Sequence, residues 1–380
     1  MSEVKIAFTL RPGYKGPRFI ASADIHLGKK LYNFPELEDD LRDNLSRLVD
    51  LAIEKKVKYL VIAGDLFDDN HAKVHTIAFV TRLVEKLKAN GIQLLGITGD
   101  HDKSQKGESW MRISGIDHVK VVPEFSGLDY FDYSQATPEE LIASLAQDTD
   151  QAKVSWVFLH CQFPQVFDKT EPKKGIDFNK LMLFDTFPNI QGVIAGDLHY
   201  APETRAYGIN REAYVGYPGS LGIVDISEAD SKKSVLYCDG TNLVRLPFPQ
   251  RRIMTEINFR GKTATDFDVM EQVDWAKAQT FKPVIKVIWD SDSDPYLSKL
   301  TPLYEVALVK MQQVKLSDPM EAKGEDEAFA SRSEATTDDK IETALRYFCE
   351  NDEGMFTLAN NLLKGDAKEV LDTFKESYEL

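Results

Sequence analysis

The chain has 380 residues, 43% of them apolar and 28% charged, with 46 lysines and arginines against 61 aspartates and glutamates for a formal net charge of −15. That length suffices for two or three domains with cores of their own, and the acidic balance argues against an unaided nucleic-acid binder, whose footprint is usually basic. Cys161, Cys238 and Cys349 are too scattered for a disulfide framework or a cysteine-type zinc site, the N-terminus lacks a signal-peptide core, and no run of about 20 apolar residues exists to cross a membrane, so a reducing, cytoplasmic setting fits.

Residues 4–10 and 18–23 read as strands, and the turn chemistry of Arg11 to Pro17 between them predicts a hairpin at a sheet edge. The second strand runs into Asp24 and His26, which strand alternation would place on one side. Leu37, Leu41, Leu45, Leu48 and Ala52 at helical spacing predict a helix over 36–56. Lys58 to Ala63 is an apolar strand ending at Asp65 and Asp68, 72–90 is an amphipathic helix, and the strand from Gln93 ends at Asp100-His101-Asp102. Alternating strands and helices, with each strand finishing in polar chemistry, imply an α/β sheet whose site lies at the strand C-terminal ends.

A short helix is predicted over 108–116, irregular strand over 119–136 and a helix over 138–147. Val154 to His160 is a strand ending in histidine, Lys173 to Phe187 is a lysine-bearing connection with a helix, and the strand from Gln191 ends at Asp197 and His199. Tyr214 leads into the tight turn Tyr217-Pro-Gly-Ser220, and Val235 to Leu246 closes this region with strands. From Arg252 a small α+β unit follows: strands over 253–259, 283–289 and 304–316, helices over 264–278 and 295–302. Residues 317–338 are polar, acidic and rich in Ser, Thr and Ala, the composition of a flexible linker. Two amphipathic helices close the chain, one carrying Ile341, Ala344, Leu345 and Phe348, the other Val370, Leu371 and Phe374. Helices presented after a linker suit docking onto a partner.

The polar strand ends are Asp24, His26, Asp65, Asp100, His101, His160, Asp197 and His199, and they include four of the chain's seven histidines. One Asp-x-His after an apolar run is common by chance; the recurrence of Asp and His at successive strand ends marks a site. Mixed carboxylate and imidazole suits Mn²⁺, Fe or Zn²⁺, and four clustered aspartates would repel one another without cations. Eight such groups exceed what one ion needs, whereas two ions about 3.5–4 Å apart sharing one carboxylate would use them, the usual arrangement for phosphoester hydrolysis.

Asp24-Ile-His26, Gly64-Asp65-Leu-Phe-Asp68, Gly99-Asp100-His101-Asp102, His160 and Gly196-Asp197-Leu-His199 resemble the calcineurin-like metallophosphoesterase series. The stretches SADIHLG, GDLFD and YPGS resemble its DNA-repair nuclease branch, the SbcD/Mre-type family. The short length is similar to bacteriophage-encoded members, whose setting would be the host cytoplasm. The resemblance implies an α/β fold: a two-sheet metallophosphoesterase sandwich flanked by helices over 1–250, a small α+β, DNA-binding capping domain over 251–316, a flexible linker over 317–338, and over 339–380 a helical element that docks on an ATPase of the SbcC/Rad type. It implies a two-metal DNA nuclease of repair and recombination, 3′→5′ on duplex ends and endonucleolytic on single strands or structured ends, with two Mn²⁺, or Mg²⁺ in their place. Asp24, His26 and His199 would hold the first metal, Asp65 would bridge, and Asp100, His160 and Asp197 would hold the second. His101 would be catalytic at the leaving oxygen, Asp68 would steady its turn, Asp102 would orient His101 or shape its loop, and Tyr217 and Ser220 would contact the DNA backbone.

The chain departs from the family twice. Asp100 stands where Asn is usual and Asp197 where His is usual, which makes the second metal's surroundings more negative and favours Mn²⁺ or Mg²⁺ over Zn²⁺. His71 and His75, four apart, are expected on a helix surface, and His118 is expected to be structural. The resemblance also implies a homodimer through the helices 72–90 and 108–116. Two other functions are kept in view: a phosphatase or nucleotidase using the same metals, and a non-catalytic scaffold with a degenerate second metal site.

Overall fold

Parallel strands buried on both faces need continuous apolar runs, and such runs frame the computed structural model, which describes residues 5–103, 108–130, 136–166, 176, 182–208, 211–260, 266–290 and 300–314. One sheet contains β1 (Lys5–Thr9), β2 (Phe19–Ser22), β3 (Tyr59–Ala63), β4 (Gln93–Ile97), β5 (Asp117–His118), β11 (Ser234–Cys238) and β12 (Asn242–Pro247), in the order β1-β12-β11-β2-β3-β4-β5. The second contains β6 (Phe125–Gly127), β7 (Trp156–His160), β8 (Gly192–Gly196), β9 (Glu203–Gly208) and β10 (Arg211–Gly216), in the order β6-β7-β8-β10-β9. Strands β2 to β5 run parallel, as do β6, β7, β8 and β10.

The sheets share an apolar layer in which Phe19 is a hub. Its ring meets Phe125, Trp156 and Phe158 edge-on at 5.4, 5.2 and 5.9 Å, the geometry that the ring quadrupoles favour. On the outer face of the first sheet lie α1 (Pro35–Glu54) and α2 (Val74–Ala89). Helix α1 buries Leu37, Leu41, Leu45, Leu48 and Ala52, the face its periodicity predicts, and each buried leucine contributes roughly 1.5–3 kcal/mol. The second sheet is covered by α4 (Pro138–Ala146), whose Thr137 and Glu140 form a reciprocal capping box, and by α5 (Leu183–Thr186). Between β4 and β5 lies the short α3 (Trp110–Ile113).

β1 does sit at a sheet edge, but it is no hairpin partner of β2: it pairs antiparallel with β12. The region 119–136 holds a 3₁₀ turn at Val119–Val121 and the short β6. Residues 304–306 of the predicted 304–316 strand belong to helix α7 (Thr301–Val306), with Pro302 in its first turn, and β15 begins only at Leu308. The last described portion is a βαβαβ unit in which β13 (Met254–Asn258), β14 (Val284–Asp290) and β15 (Leu308–Val314) are parallel, with α6 (Asp266–Lys277) and α7 as crossovers. It packs against the larger body through Met254, Val284 and Leu308 on Leu31, Leu37 and Ile226, and through Arg252 Nε on Asp40 Oδ2 at 2.6 Å. The expected linker and helical docking element lie outside the described residues. Among the described residues no helix is long and apolar enough to cross a membrane.

Candidate metal centre

Strand alternation does not aim Asp24 and His26. Strand β2 ends at Ser22, and both residues lie beyond it with left-handed backbone, at φ 51° and 52°. A backbone zipper onto the loop after β3 holds them: Asp24 N donates to Gly64 O (3.1 Å), Ile25 N and His26 N to Asp65 O (2.7 and 3.0 Å), and Leu27 N to Leu66 O (2.8 Å). Asp65 and Asp197 also have positive φ, 51° and 94°. Non-glycine residues held there cost of order 1–3 kcal/mol each and persist only where the surroundings over-determine them.

The glycines before the aspartates have a packing reason. A Cβ on Gly64 would run into the His160 ring, one on Gly196 into the Ala63 carbonyl, and one on Gly99 into the Asp65 carboxylate. His160 Nδ1 lies 2.9 Å from Ala63 O, so it carries the proton and Nε2 faces inward.

Three sets of ligand-type atoms each lie within 4.8 Å of one another: Asp24, His26 and His199; His26, Asp65 and His101; Asp24, Asp65 and His160. Asp65 Oδ2 is the hub, 3.3 Å from His160 Nε2 and 3.8 Å from His26 Nε2. Asp100 joins none of these sets; its Oδ1 is 3.5 Å from His160 Nε2 and its side chain is 47% exposed. Asp197 joins none either, and its backbone N donates to Asp24 Oδ1 at 3.0 Å.

The donor set fits cations. Asp24 Oδ2, His26 Nε2 and His160 Nε2 are buried without a hydrogen-bond partner, a costly state unless another group completes them. Burial pushes the Asp24 carboxyl up, and it pushes Asp197 up to about 6. Burial works the same way on Asp65, but His160 and His26 hold it well below the usual carboxylate range. On His160 burial favours the neutral ring, and Asp65, Asp100 and Asp24 overcome it and raise its pKa. Divalent ions would relieve both the carboxylate repulsion and the unmatched ring nitrogens.

Two neighbours brace the loops around these groups. Asp68 Oδ1 lies 3.0 Å from His26 Nδ1 and 3.1 Å from Lys29 Nζ, so it orients an imidazole as well as its turn. Asp102 is fully buried and accepts from Phe67 N (2.9 Å) and Gly99 N (2.8 Å), which ties the β3 and β4 loops together; burial, then Asp65, pushes its carboxyl up to about 7. His101 is anchored through Nδ1 on Asp68 O at 2.9 Å, leaving Nε2 3.9 Å from Asp100 Oδ2.

Tyr217 and Ser220, expected to meet a DNA backbone, are fully buried. The Tyr217 hydroxyl donates to Cys161 O and accepts from Phe163 N, both at 2.9 Å, and Ser220 Oγ reaches Gly222 O at 2.8 Å. Behind them stand two residues that sequence reasoning missed: Glu228, whose Oε1 is 2.7 Å from His199 Nδ1, and the buried Lys233. Both come from the polar run Ser227 to Ser234, which reads as a solvated turn and offers no local signal. His71 lies before α2, not on it, and His71 and His75 are both exposed, beside Asp69 and Glu38.

Residues 17–201 match the family described as calcineurin-like phosphoesterase. The chain is similar to proteins named DNA double-strand break repair protein Mre11: that of Saccharolobus solfataricus at 37% identity over 84 residues, 22% of each chain; that of Halobacterium salinarum at 26% over 225 residues, 57% of this chain and 54% of that one; and that of Aeropyrum pernix at 24% over 305 residues, 73% and 74%. The first of these matches thus spans under a quarter of the relative's own length.

Proposed function

We propose, from the premise that residues 17–201 are a calcineurin-like phosphoesterase domain of metal-dependent hydrolases with Mre11 homologues, that this chain is a two-metal DNA nuclease of end processing, recombination and repair. The observation that carries the reading is the convergence of buried Asp24, His26, Asp65 and His160 with His199, in which Asp24 Oδ2, His26 Nε2 and His160 Nε2 lack hydrogen-bond partners. Asp24, His26 and His199 would hold one ion, Asp65 would bridge, and His160, Asp100 and Asp197 would hold the other. Mn²⁺ or Mg²⁺ suits so carboxylate-rich a set. When bound, the ions supply Lewis acidity and positive charge against a phosphodiester.

The chain's own part is to place and protonate. His101 donates Nδ1–H to the Asp68 carbonyl, which leaves Nε2 to face the scissile phosphate. Burial works against the imidazolium, but Asp65 and Asp100 outweigh it and raise the His101 pKa, so the ring can hand a proton to the departing oxygen. Asp68 fixes His26, and Asp102 fixes the loop that carries His101. The activity would be 3′→5′ on duplex ends and endonucleolytic on single strands or structured ends, with an SbcC/Rad-type ATPase engaging residues 339–380 and the 251–316 unit contributing DNA contacts. A homodimer would form through α2 and α3, where Val74 and Ile113 stay exposed.

One observation favours a second reading. Asp100 is half exposed and outside the tight sets, as in a scaffold whose second metal site no longer cleaves. Assaying linear duplex DNA beside para-nitrophenyl phosphate and nucleotides, with Mn²⁺ and with EDTA, separates the readings. Metal-dependent DNA cleavage supports the nuclease; turnover of small phosphoesters alone supports a phosphatase; no turnover of either supports the scaffold.

A further inference from the structure

His199, like His26 with Asp68, has a carboxylate behind its Nδ1, and unlike His26 it has a fully buried ammonium behind that carboxylate. His160 is held by a neutral backbone carbonyl, whereas His199 Nδ1 faces the Glu228 carboxylate at 2.7 Å. Nδ1 is therefore protonated, and only Nε2 is left to bind an ion. Behind the carboxylate sits an ammonium. Lys233 has a side chain 1% exposed and spends its three protons on Glu228 Oε2 (2.5 Å), Ser220 Oγ (2.6 Å) and the carbonyl of His199 itself (3.2 Å). Ser220 Oγ, whose single proton is within reach of both Gly222 O (2.8 Å) and Glu228 Oε2 (3.1 Å), completes the cluster, and its backbone N donates to His199 O at 3.1 Å. The same turn forms an isolated bridge from Ser220 to Ala23, the residue after β2 and before Asp24.

We propose that Glu228 and Lys233 are positioning residues for the first metal: Glu228 fixes the tautomer and angle of His199, while Lys233 cancels the carboxylate's charge and pins the His199 backbone to the 217–220 turn. This rests on the two-metal reading above. The geometry separates the two roles. Glu228 touches the imidazole, and Lys233 touches the Glu228 carboxylate, the His199 carbonyl and Ser220 Oγ. It also gives the buried Ser220 a function that needs no contact with substrate.

The test is equilibrium Mn²⁺ binding to the full chain, read by the loss of the free-ion paramagnetic resonance signal. Wild type, Glu228→Ala and the uncharged pair Glu228→Gln with Lys233→Met are compared, each first checked for folding by circular dichroism in EDTA. Wild type should take up two ions. Glu228→Ala should weaken one of them by roughly 10–100-fold and leave the other unchanged, the usual penalty for removing a partner of a metal-binding histidine. The Gln/Met pair keeps an acceptor for Nδ1–H without a buried lone charge, and it should fold even if Glu228→Ala does not. It should retain two ions, with the weaker one loosened less than in Glu228→Ala, or loosened relative to wild type where Glu228→Ala does not fold. If wild type binds two ions and the folded variants bind both with unchanged affinity, the positioning role is wrong and the cluster is only structural. If wild type binds none, the two-metal reading fails first.

Discussion

Replacing Gly64 with alanine tests how tightly the fold dictates the site. Gly64 has φ +90°, and an added Cβ would collide with the imidazole of His160. Left-handed backbone costs a non-glycine residue about 1–2 kcal/mol, overpacking a tight interior about 1–3 kcal/mol, and the His160 hydrogen bond to Ala63 O, if lost, about 1 kcal/mol. The sum is about 3–6 kcal/mol. Gly13 supplies the control: its φ is +82° and a Cβ there meets nothing within 4 Å, so Gly13→Ala should cost only the backbone share, about 1–2 kcal/mol. Urea unfolding of both variants in EDTA measures the difference. Gly64→Ala should also bind less Mn²⁺, because His160 Nε2 is the inward-facing atom that moves. Equal stability losses for the two variants, with Mn²⁺ uptake unchanged, would refute the idea that this glycine exists to admit His160.

His101→Ala should lower phosphodiester turnover by roughly 10²–10⁴-fold while Mn²⁺ uptake stays as in wild type; an equal loss of uptake would make His101 a ligand and not a proton donor. Converting Asp100 to Asn and Asp197 to His together should move selectivity from Mn²⁺ towards Zn²⁺, measured by competition between the two ions, and an unchanged ratio would contradict the link between those residues and metal choice. His118 gives a pH prediction far from the centre. Its Nδ1 accepts from Lys120 N at 3.1 Å, which the protonated ring cannot do, and burial pushes its pKa down to about 4 against the pull of Asp129. The unfolded chain therefore takes up a proton more readily, so this site costs nothing above about pH 6.5 and up to about 3 kcal/mol as pH falls through 4. His118→Asn keeps a cap acceptor, and its unfolding free energy should fall less than wild type's between pH 7.5 and 4.5; parallel curves would remove His118 from the account.

Much of this arrangement is legible in the sequence because buried parallel strands must be continuously apolar, and a chain that leaves such a strand for a polar site changes texture abruptly. Phe19 to Ala23, Tyr59 to Ala63 and Trp156 to Leu159 are of that kind, and the residues after them converge at one end of the sandwich. Long-range pairing is less legible. The Arg11 to Pro17 turn suits a hairpin as well as a crossover, and the true neighbour of β1 is β12, more than 200 residues away. Edge strand β9 leaves little trace in the sequence, since Glu203 to Gly208 alternates weakly and exposes Tyr207. Glu228 and Lys233 were hidden for a different reason: their burial is created by the tertiary fold around His199, and a charged residue in a polar run carries no trace of it. The aim of Asp24 and His26 does not follow from strand alternation, because a left-handed backbone after the strand replaces the alternation that the strand itself would impose.

The most direct test of the account is the number of Mn²⁺ ions bound per chain at saturation, in wild type and in Asp65→Asn. Asp65 Oδ2 is the atom shared by His160 and His26, so the account predicts two ions in wild type and loss of at least one when its charge is removed. One ion or none in wild type, or two ions held equally well by Asp65→Asn, would contradict it.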